Sequence, residues 1–257
     1  LTDTTGTLYK TGIVLSGGGA RGFAHVGVLK ALNEFNIYPE MISAVSAGSI
    51  VGALYADGYT PDEIFTAFSE LDLYKLLKIY RPSLGVLKAI GLRKTLASLL
   101  RAKNIEDLRM PLVISATNFN KATTEYFTSG PIIDAVMASS AIPLVLKPYT
   151  INGNMYVDGG LMNNLPVEPL LGKCEDIIGV NVNPVTEASH TYSFRNYIDR
   201  VLHLAIRANV NNNIQKCDVY IEPSGLMDYQ LFKVSSARDI FETGYRHTVT
   251  LLQNQNT

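Results

Sequence analysis

Apolar positions along the chain fall into short continuous runs and longer runs of helical period, and the two alternate. Gly12-Ile-Val-Leu-Ser16 reads as a short buried strand, followed at once by Gly17-Gly-Gly-Ala-Arg-Gly22. Over 23–35, Phe23, Val26, Leu29 and Leu32 recur every three residues, joined by Val28, Ala31 and Phe35. That spacing predicts a helix with a wide buried face, leaving Lys30, Asn33 and Glu34 outside. A second strand over 42–45 runs into Ser46-Ala-Gly-Ser49 and an apolar helix ending near Gly58. Thr60-Pro-Asp-Glu63 is a helix start, with Thr60 as N-cap, Pro61 in the first turn and Glu63 completing a capping box.

Later strands are predicted over 112–117, 125–127, 155–157, 177–182 and 219–222, and helices over 132–139, 194–212 and 237–252. No repeat or low-complexity linker interrupts this order. The expectation is an α/β fold, a three-layer α/β/α sandwich around a mostly parallel central sheet. It would form one domain over 11–257 behind a loose, threonine-rich segment 1–10, with its motif-bearing core at 13–172 and a helical completion at 173–257.

Composition narrows the classes. Of 257 residues, 47% are hydrophobic and 18% charged, with 22 basic against 23 acidic side chains and a net charge of −1. That is too apolar and too neutral for a disordered chain. A globule of this size buries roughly 70–75% of its unfolded surface, so no disulfide scaffold is needed. The charge balance supplies no global reason to bind nucleic acid. Cys174 and Cys217 cannot fill a four-ligand zinc site and read as free, buried thiols. The longest uncharged run, 41–56, is 16 residues long and contains Ser43, Ser46 and Ser49, too short and polar for a membrane span. The chain opens on Leu1 and not on methionine, which leaves a leader removed earlier open, and with it the compartment. The expectation is a soluble chain, cytoplasmic or exported, with peripheral contact at a membrane.

Three pieces carry chemistry. Gly17-Gly18-Gly19-Ala20-Arg21-Gly22 fits G-x-G-x-x-G between a strand and a helix. A dinucleotide site would want an acid at the end of the second strand, where this chain has Val45-Ser46. The same glycines suit an oxyanion hole, in which backbone N–H groups free of side chains face a developing negative charge. A tight turn is the plainer alternative. Ala44-Val45-Ser46-Ala47-Gly48 is close to the nucleophile elbow G-x-S-x-G, with alanine at the first small position. Ser46 could instead be only a helix N-cap. Asp158-Gly159-Gly160 follows a short strand and leads into Leu161-Met-Asn-Asn-Leu-Pro166. Alone it is a turn. None of the four histidines, His25, His190, His203 and His247, sits in a distinctive setting for a base.

Taken together and in this order, the three pieces resemble the patatin-like phospholipases, lipid acyl hydrolases that use a Ser–Asp dyad. The segments Ala138-Ser-Ser-Ala-Ile-Pro143 and Asn164-Leu-Pro166 are similar to family segments too. The resemblance runs from Ile13 to Gly172, and more loosely to Glu242-Thr-Gly-Tyr245. It implies Ser46 as nucleophile, Asp158 as base, and an oxyanion hole from Gly17, Gly18, Gly19 and Ala47. Arg21, Gly22, Ala44, Gly48, Gly159 and Gly160 would support them, with Arg21 bracing the glycine loop. The implied partner is a lipid or acyl ester, and the mechanism requires no metal or cofactor. A catalytically silent lipid-binding relative and a nucleotide-binding module are the alternatives.

Segment 73–105 carries Lys75, Lys78, Arg81, Lys88, Arg93, Lys94, Arg101 and Lys103 with no acid, interleaved with leucines and isoleucines. It is the sequence's candidate for contact with an anionic membrane surface, the alternative being a solvated helical cap. Each well-placed cation contributes about 1 kcal/mol at such a surface. Changing Lys75, Lys78, Arg93 and Lys94 to glutamate is therefore expected to weaken sedimentation with anionic vesicles at low salt and to leave turnover of a short soluble ester unchanged. Undiminished vesicle binding would make the segment a cap.

Overall fold

The computed structural model describes residues 8–69, 89–184, 194–229 and 236–255. The 73–88 part of the basic segment lies outside them. The strands are β1 (Tyr9–Leu15), β2 (Met41–Val45), β3 (Leu112–Asn118), β4 (Thr123–Phe127), β5 (Tyr149–Ile151), β6 (Asn154–Asp158), β7 (Cys174–Val180) and β8 (Val219–Ile221). The helices are α1 (Phe23–Glu34), α2 (Ala47–Ala56), α3 (Pro61–Ser69), α4 (Ile90–Leu99), α5 (Ile132–Ser139), α6 (Phe194–Ile214) and α7 (Ala237–Gln255).

Strands β3-β2-β1-β7-β8 pair in parallel in that order. The chain steps from β1 to β2 to β3 in one direction, then from β7 to β8 in the other. The strand order therefore reverses between β1 and β7, and ligand crevices in open α/β sheets form at such switch points, beyond the carboxyl ends of the strands. Side-chain alternation divides the parallel strands between two cores. Ile13, Leu15, Ile42, Ala44, Ile114, Ile178 and Val180 face the cluster that includes α1, α2, α3 and α7. Val14, Met41, Val113 and Ile177 face the other, with Val210 of α6 and Leu165, Val167 and Leu170. Helices cover both faces, as the apolar runs predict.

β4, β5 and β6 are antiparallel additions, and one of them decides where the chemistry falls. β4 takes one edge of β3 along 114–118. The opposite edge is shared end to end: β2 pairs as far as Val45 with Ser115, and from Ala116 onward the edge pairs with β6, whose last residue, Asp158, stands opposite Ala116. Two strands running toward each other thus bring the residue after Val45 and the last residue of β6 to one point.

Several boundaries differ from the sequence expectation. β1 starts at Tyr9, whose N–H donates to Lys173 O at 2.8 Å, so residues 9–10 belong to the sheet and not to a loose segment. β5 carries no pattern of its own and exists by pairing with β6. The capping box forms as expected: the Thr60 N–H donates to Glu63 Oε2 at 2.8 Å and the Glu63 N–H to Thr60 Oγ1 at 3.3 Å. Among the described residues, no helix is long and apolar enough to cross a membrane.

α1 and α7 pack backbone to backbone. A Cβ on Gly27 would stand 2.1 Å from Phe241 O and 2.8 Å from the Tyr245 nitrogen. Gly27→Val must push the two helices apart, and overpacking of this kind costs about 1–3 kcal/mol or more. A thermal melt is expected to show Tm lower by roughly 2–12 °C. An unchanged melt would mean that the α1–α7 contact yields freely.

Candidate active site

Ser46 closes β2 and opens α2, with φ 51° and ψ −124°. A β-branched or bulky residue would be strained there, and even serine holds such a backbone only when its surroundings enforce it. The surroundings do so from three sides. The Ser46 N–H donates to Ser139 Oγ at 2.7 Å, and the Ser139 hydroxyl donates to Ser115 O at 2.7 Å. The Ser46 carbonyl accepts from the Ser49 hydroxyl at 2.6 Å and from the Ser49 N–H at 2.9 Å. Gly48 lets α2 seat against the end of β1, since a Cβ on it would lie 2.3 Å from Leu15 O. Ala44, where the strict motif has glycine, turns its methyl into the core toward Gly52, whose own missing Cβ would come within 3.4 Å of it. The larger residue is accommodated by a smaller one on the facing helix.

Ser46 is an N-cap by position, but its side chain makes no capping bond. The hydroxyl instead donates to Asp158 Oδ2 at 2.5 Å. Asp158 Oδ1 accepts from the Gly160 N–H at 2.8 Å, the Asp158 N–H donates to Ala141 O at 2.9 Å, and the Thr117 hydroxyl donates to the Asp158 carbonyl at 3.0 Å. Segment 138–143 therefore touches both partners, Ser46 through Ser139 and Asp158 through Ala141. Gly159 packs on Ser115 O, leaving no room for a side chain at the turn.

Both groups are buried, Ser46 at 3% and Asp158 at 8% exposure. Burial raises the Asp158 carboxyl to about 6, against the lowering effect of the Ser46 and Gly160 hydrogen bonds. A carboxylate of that strength, already accepting the hydroxyl proton, is placed to act as a base near neutral pH.

The glycine loop lies above this pair, against the carboxyl end of β7, at the switch point. Gly17 O accepts from Asn183 Nδ2 at 2.5 Å and from the Ser16 hydroxyl at 3.0 Å. Gly18 rests on Val182, and Gly19 has φ 55°. Gly22 meets the Ala47 methyl. The Gly17 N–H does not point into open space: it donates to Asn164 Oδ1 at 3.1 Å. That corrects the expectation of four oxyanion donors. Among the described residues, the N–H groups of Gly18, Gly19 and Ala47 meet no acceptor, and these three remain available for an oxyanion. Arg21 is buried at 6% exposure and its Nε donates to Tyr229 O at 2.9 Å, a bracing contact.

Of the described histidine side chains, neither His25 nor His247 hydrogen-bonds to Ser46 or Asp158. His25 is fully buried with Nε2 at 2.8 Å from Ser16 O, and burial lowers it to about 4. It is a neutral core residue behind the glycine loop. His247 is half-buried and also lowered by burial. His190 and the His203 side chain fall outside the described residues. Among those residues, no group of three His, Cys, Asp or Glu side chains is placed to hold a metal.

An apolar cleft of about 190 Å³ runs beside α5, lined by Met137, Ala141, Leu146, Pro148 and Tyr149 together with Ala89 and Ile90. Ala141 is common to this cleft and to the anchoring of Asp158. Arg93, also on the cleft, is held by Asp134 Oδ1 at 2.9 Å and by the Tyr149 hydroxyl. That corrects the sequence expectation for Arg93, and the charge-reversal test of membrane contact rests on Lys75, Lys78 and Lys94 without it. Sequence reasoning did not single out Ser139, Asn183 or Asn209. Asparagines just beyond β7 and inside α6 were the available signal for Asn183 and Asn209, and segment 138–143 for Ser139.

Serine elbows occur on several α/β sheets. An aspartate in direct contact with the hydroxyl, where a histidine would otherwise stand, narrows the class to α/β proteins with a serine–carboxylate pair. Residues 13–171 match the patatin-like phospholipase family, and the chain belongs to it. Uncharacterized NTE family protein Rv1063c of Mycobacterium tuberculosis is 33% identical over 178 residues, covering 68% of this chain and 49% of that protein. Lysophospholipase NTE1 of Cryptococcus neoformans is 35% identical over 189 residues, covering 70% of this chain and 12% of that protein. The chain thus spans about half the length of the mycobacterial relative. In fold, it is similar to VipD from Legionella pneumophila, with TM-score 0.61 and 16% identity over 96% of this chain and 67% of that one. ExoU of Pseudomonas aeruginosa, in its complex with SpcU, gives TM-score 0.52 at 15% identity over 97% of this chain and 53% of that one.

The pH dependence follows from the raised carboxyl. Only an ionised Asp158 could accept a proton from Ser46, so if the carboxyl governs the hydroxyl, reactivity is expected to fall as pH drops through about 6. Labelling of Ser46 by a fluorophosphonate is expected to slow about tenfold per pH unit below that point and to level off above it. A rate that stays flat down to pH 4 would show that Asp158 does not govern the hydroxyl.

Proposed function

We propose that this chain hydrolyses carboxylic esters of lipids, with Ser46 as nucleophile and Asp158 as its base. The observation that carries the reading is the 2.5 Å hydrogen bond from Ser46 Oγ to a buried carboxylate, made by a serine held at a strand-to-helix elbow. Asp158 takes the Ser46 proton as Oγ attacks the ester carbonyl. The tetrahedral oxyanion rests on the N–H groups of Gly18, Gly19 and Ala47, the last at the positive end of α2. Collapse expels the alcohol, which leaves with the proton from Asp158, and an acyl-serine remains. Water, deprotonated by the same carboxylate, then releases the acid and restores Ser46.

The apolar cleft beside α5 is the proposed site of the acyl chain, a reading supported by Ala141, which both lines the cleft and accepts the Asp158 N–H. The fungal relative's name makes monoacyl phospholipids the first natural substrates to test. Contact of 73–105 with a membrane surface is part of the same proposal.

A panel from short p-nitrophenyl esters to lysophospholipids and diacyl phospholipids tests the reading. Ser46→Ala is expected to abolish hydrolysis and fluorophosphonate labelling. Asp158→Asn, in a folded protein, is expected to lower kcat by about 10²–10⁴-fold. Adduct mapping to another serine, or a folded Asp158→Asn with wild-type turnover, would overturn the assignment.

A further inference from the structure

Resting on the reading of Ser46 and Asp158 as a catalytic pair, we propose that Asn164 is a positioning residue. It locks the glycine loop to the aspartate turn and so fixes where the oxyanion donors stand relative to the pair.

The Asn164 side chain is 1% exposed. Its Oδ1 accepts the Gly17 N–H at 3.1 Å, and a backbone N–H can only donate. The amide orientation is thereby set, since a flip would place two donors face to face. The same oxygen lies 2.6 Å from the place of a Cβ on Gly17 and 2.4 Å from that on Gly160. Those two places are also 3.0 Å from Ser46 Cβ and 3.0 Å from Asp158 Oδ1, respectively. The carboxamide therefore fills the gap between the two loops and adjoins both members of the pair, with no hydrogen bond to either side chain among the described residues. Side chains at positions 17 and 160 are excluded because Asn164 already occupies the space.

Asn164 is itself held. Its N–H donates to Asn209 Oδ1 at 2.9 Å, and Asn209 Nδ2 donates to Gly160 O at 3.1 Å and to Leu161 O at 3.4 Å. Helix α6 thus grips the aspartate turn and presents Asn164 to the glycine loop. Its Nδ2 is buried and meets no acceptor among the described residues. A leucine of similar size would fill the space and escape that loss, so hydrophobic packing does not account for an amide here. Binding Gly17 does. By occupying that N–H, Asn164 sets the orientation of the peptide planes that follow, which carry the Gly18 and Gly19 donors.

Two variants test this, assayed with p-nitrophenyl butyrate across pH alongside Ser46→Ala, with circular dichroism and melts as fold controls. Asn164→Leu keeps the volume and removes the acceptor. It is expected to lower kcat by up to about 10²-fold, with KM within about twofold of wild type and the acid limb still near 6. Asn164→Asp keeps an oxygen for the Gly17 N–H, so it is expected to recover most of kcat at high pH. Among the described residues, Asp158 owes its shift to burial, Ser46 and Gly160, with no charged group involved. A second carboxylate beside it should therefore move the acid limb upward. A folded Asn164→Leu with wild-type kcat, or an Asn164→Asp no faster than it at high pH, overturns the proposal. If Asn164→Leu does not fold, Asn164→Asp decides: an unmoved acid limb or a kcat lost at every pH overturns it. Hydrolysis by Ser46→Ala would instead overturn the dyad reading, whatever the Asn164 variants do.

Discussion

A hydroxyl and a carboxylate can exchange a proton usefully only if they touch out of water, and here the two groups are 112 residues apart in sequence. The sheet solves this with one edge of β3. β2 and β6 approach each other along it and stop at Ser115 and Ala116, so the residue beyond Val45 and the residue closing β6 must meet. The left-handed backbone at Ser46, the serine relay through Ser139 to Ser115, and the glycine turn after Asp158 all crowd around that junction. Each is a local consequence of two strand ends sharing one edge.

Apart from Arg21, which braces the glycine loop, the described side chains that hold the junction around Asp158 are electrically neutral. Ser139, Thr117, Asn164 and Asn183 fix backbone positions by hydrogen bonds, His25 is uncharged, and the Arg21 guanidinium reaches Tyr229. A cation against Asp158 would hold its carboxyl low and make it a poorer base. Burial acts in the other direction, and two hydrogen bonds moderate it, leaving the group at about 6. Amides and hydroxyls can order a loop tightly without disturbing that balance. The dense use of asparagine near the site has this physical sense.

The glycine loop illustrates the limits of a motif. Its pattern suits a phosphate cradle and an oxyanion hole equally. Placement is what favours the proposed oxyanion hole: the loop stands over an elbow serine at the switch point, and one of its N–H groups is already occupied by Asn164.

Helical period and turn chemistry were legible along the chain because they depend on neighbours a few residues away. α1, α5, the Thr60 capping box and the apolar centres of the parallel strands follow from such local patterns, and so does the elbow's run of small residues. The early start of β1, the whole of β5, and the antiparallel pairing of β4 and β6 with β3 were not legible, because a polar strand end becomes a strand only when another edge satisfies its backbone, and pairing depends on residues distant in sequence. The sequence marked Ser46 and Asp158 as separate pieces joined by a resemblance. Only the tertiary structure decided that they touch, that the Gly17 N–H is occupied, and that Asn164 lies between the two loops. Those facts depend on where strand ends stop in space, which no periodicity encodes.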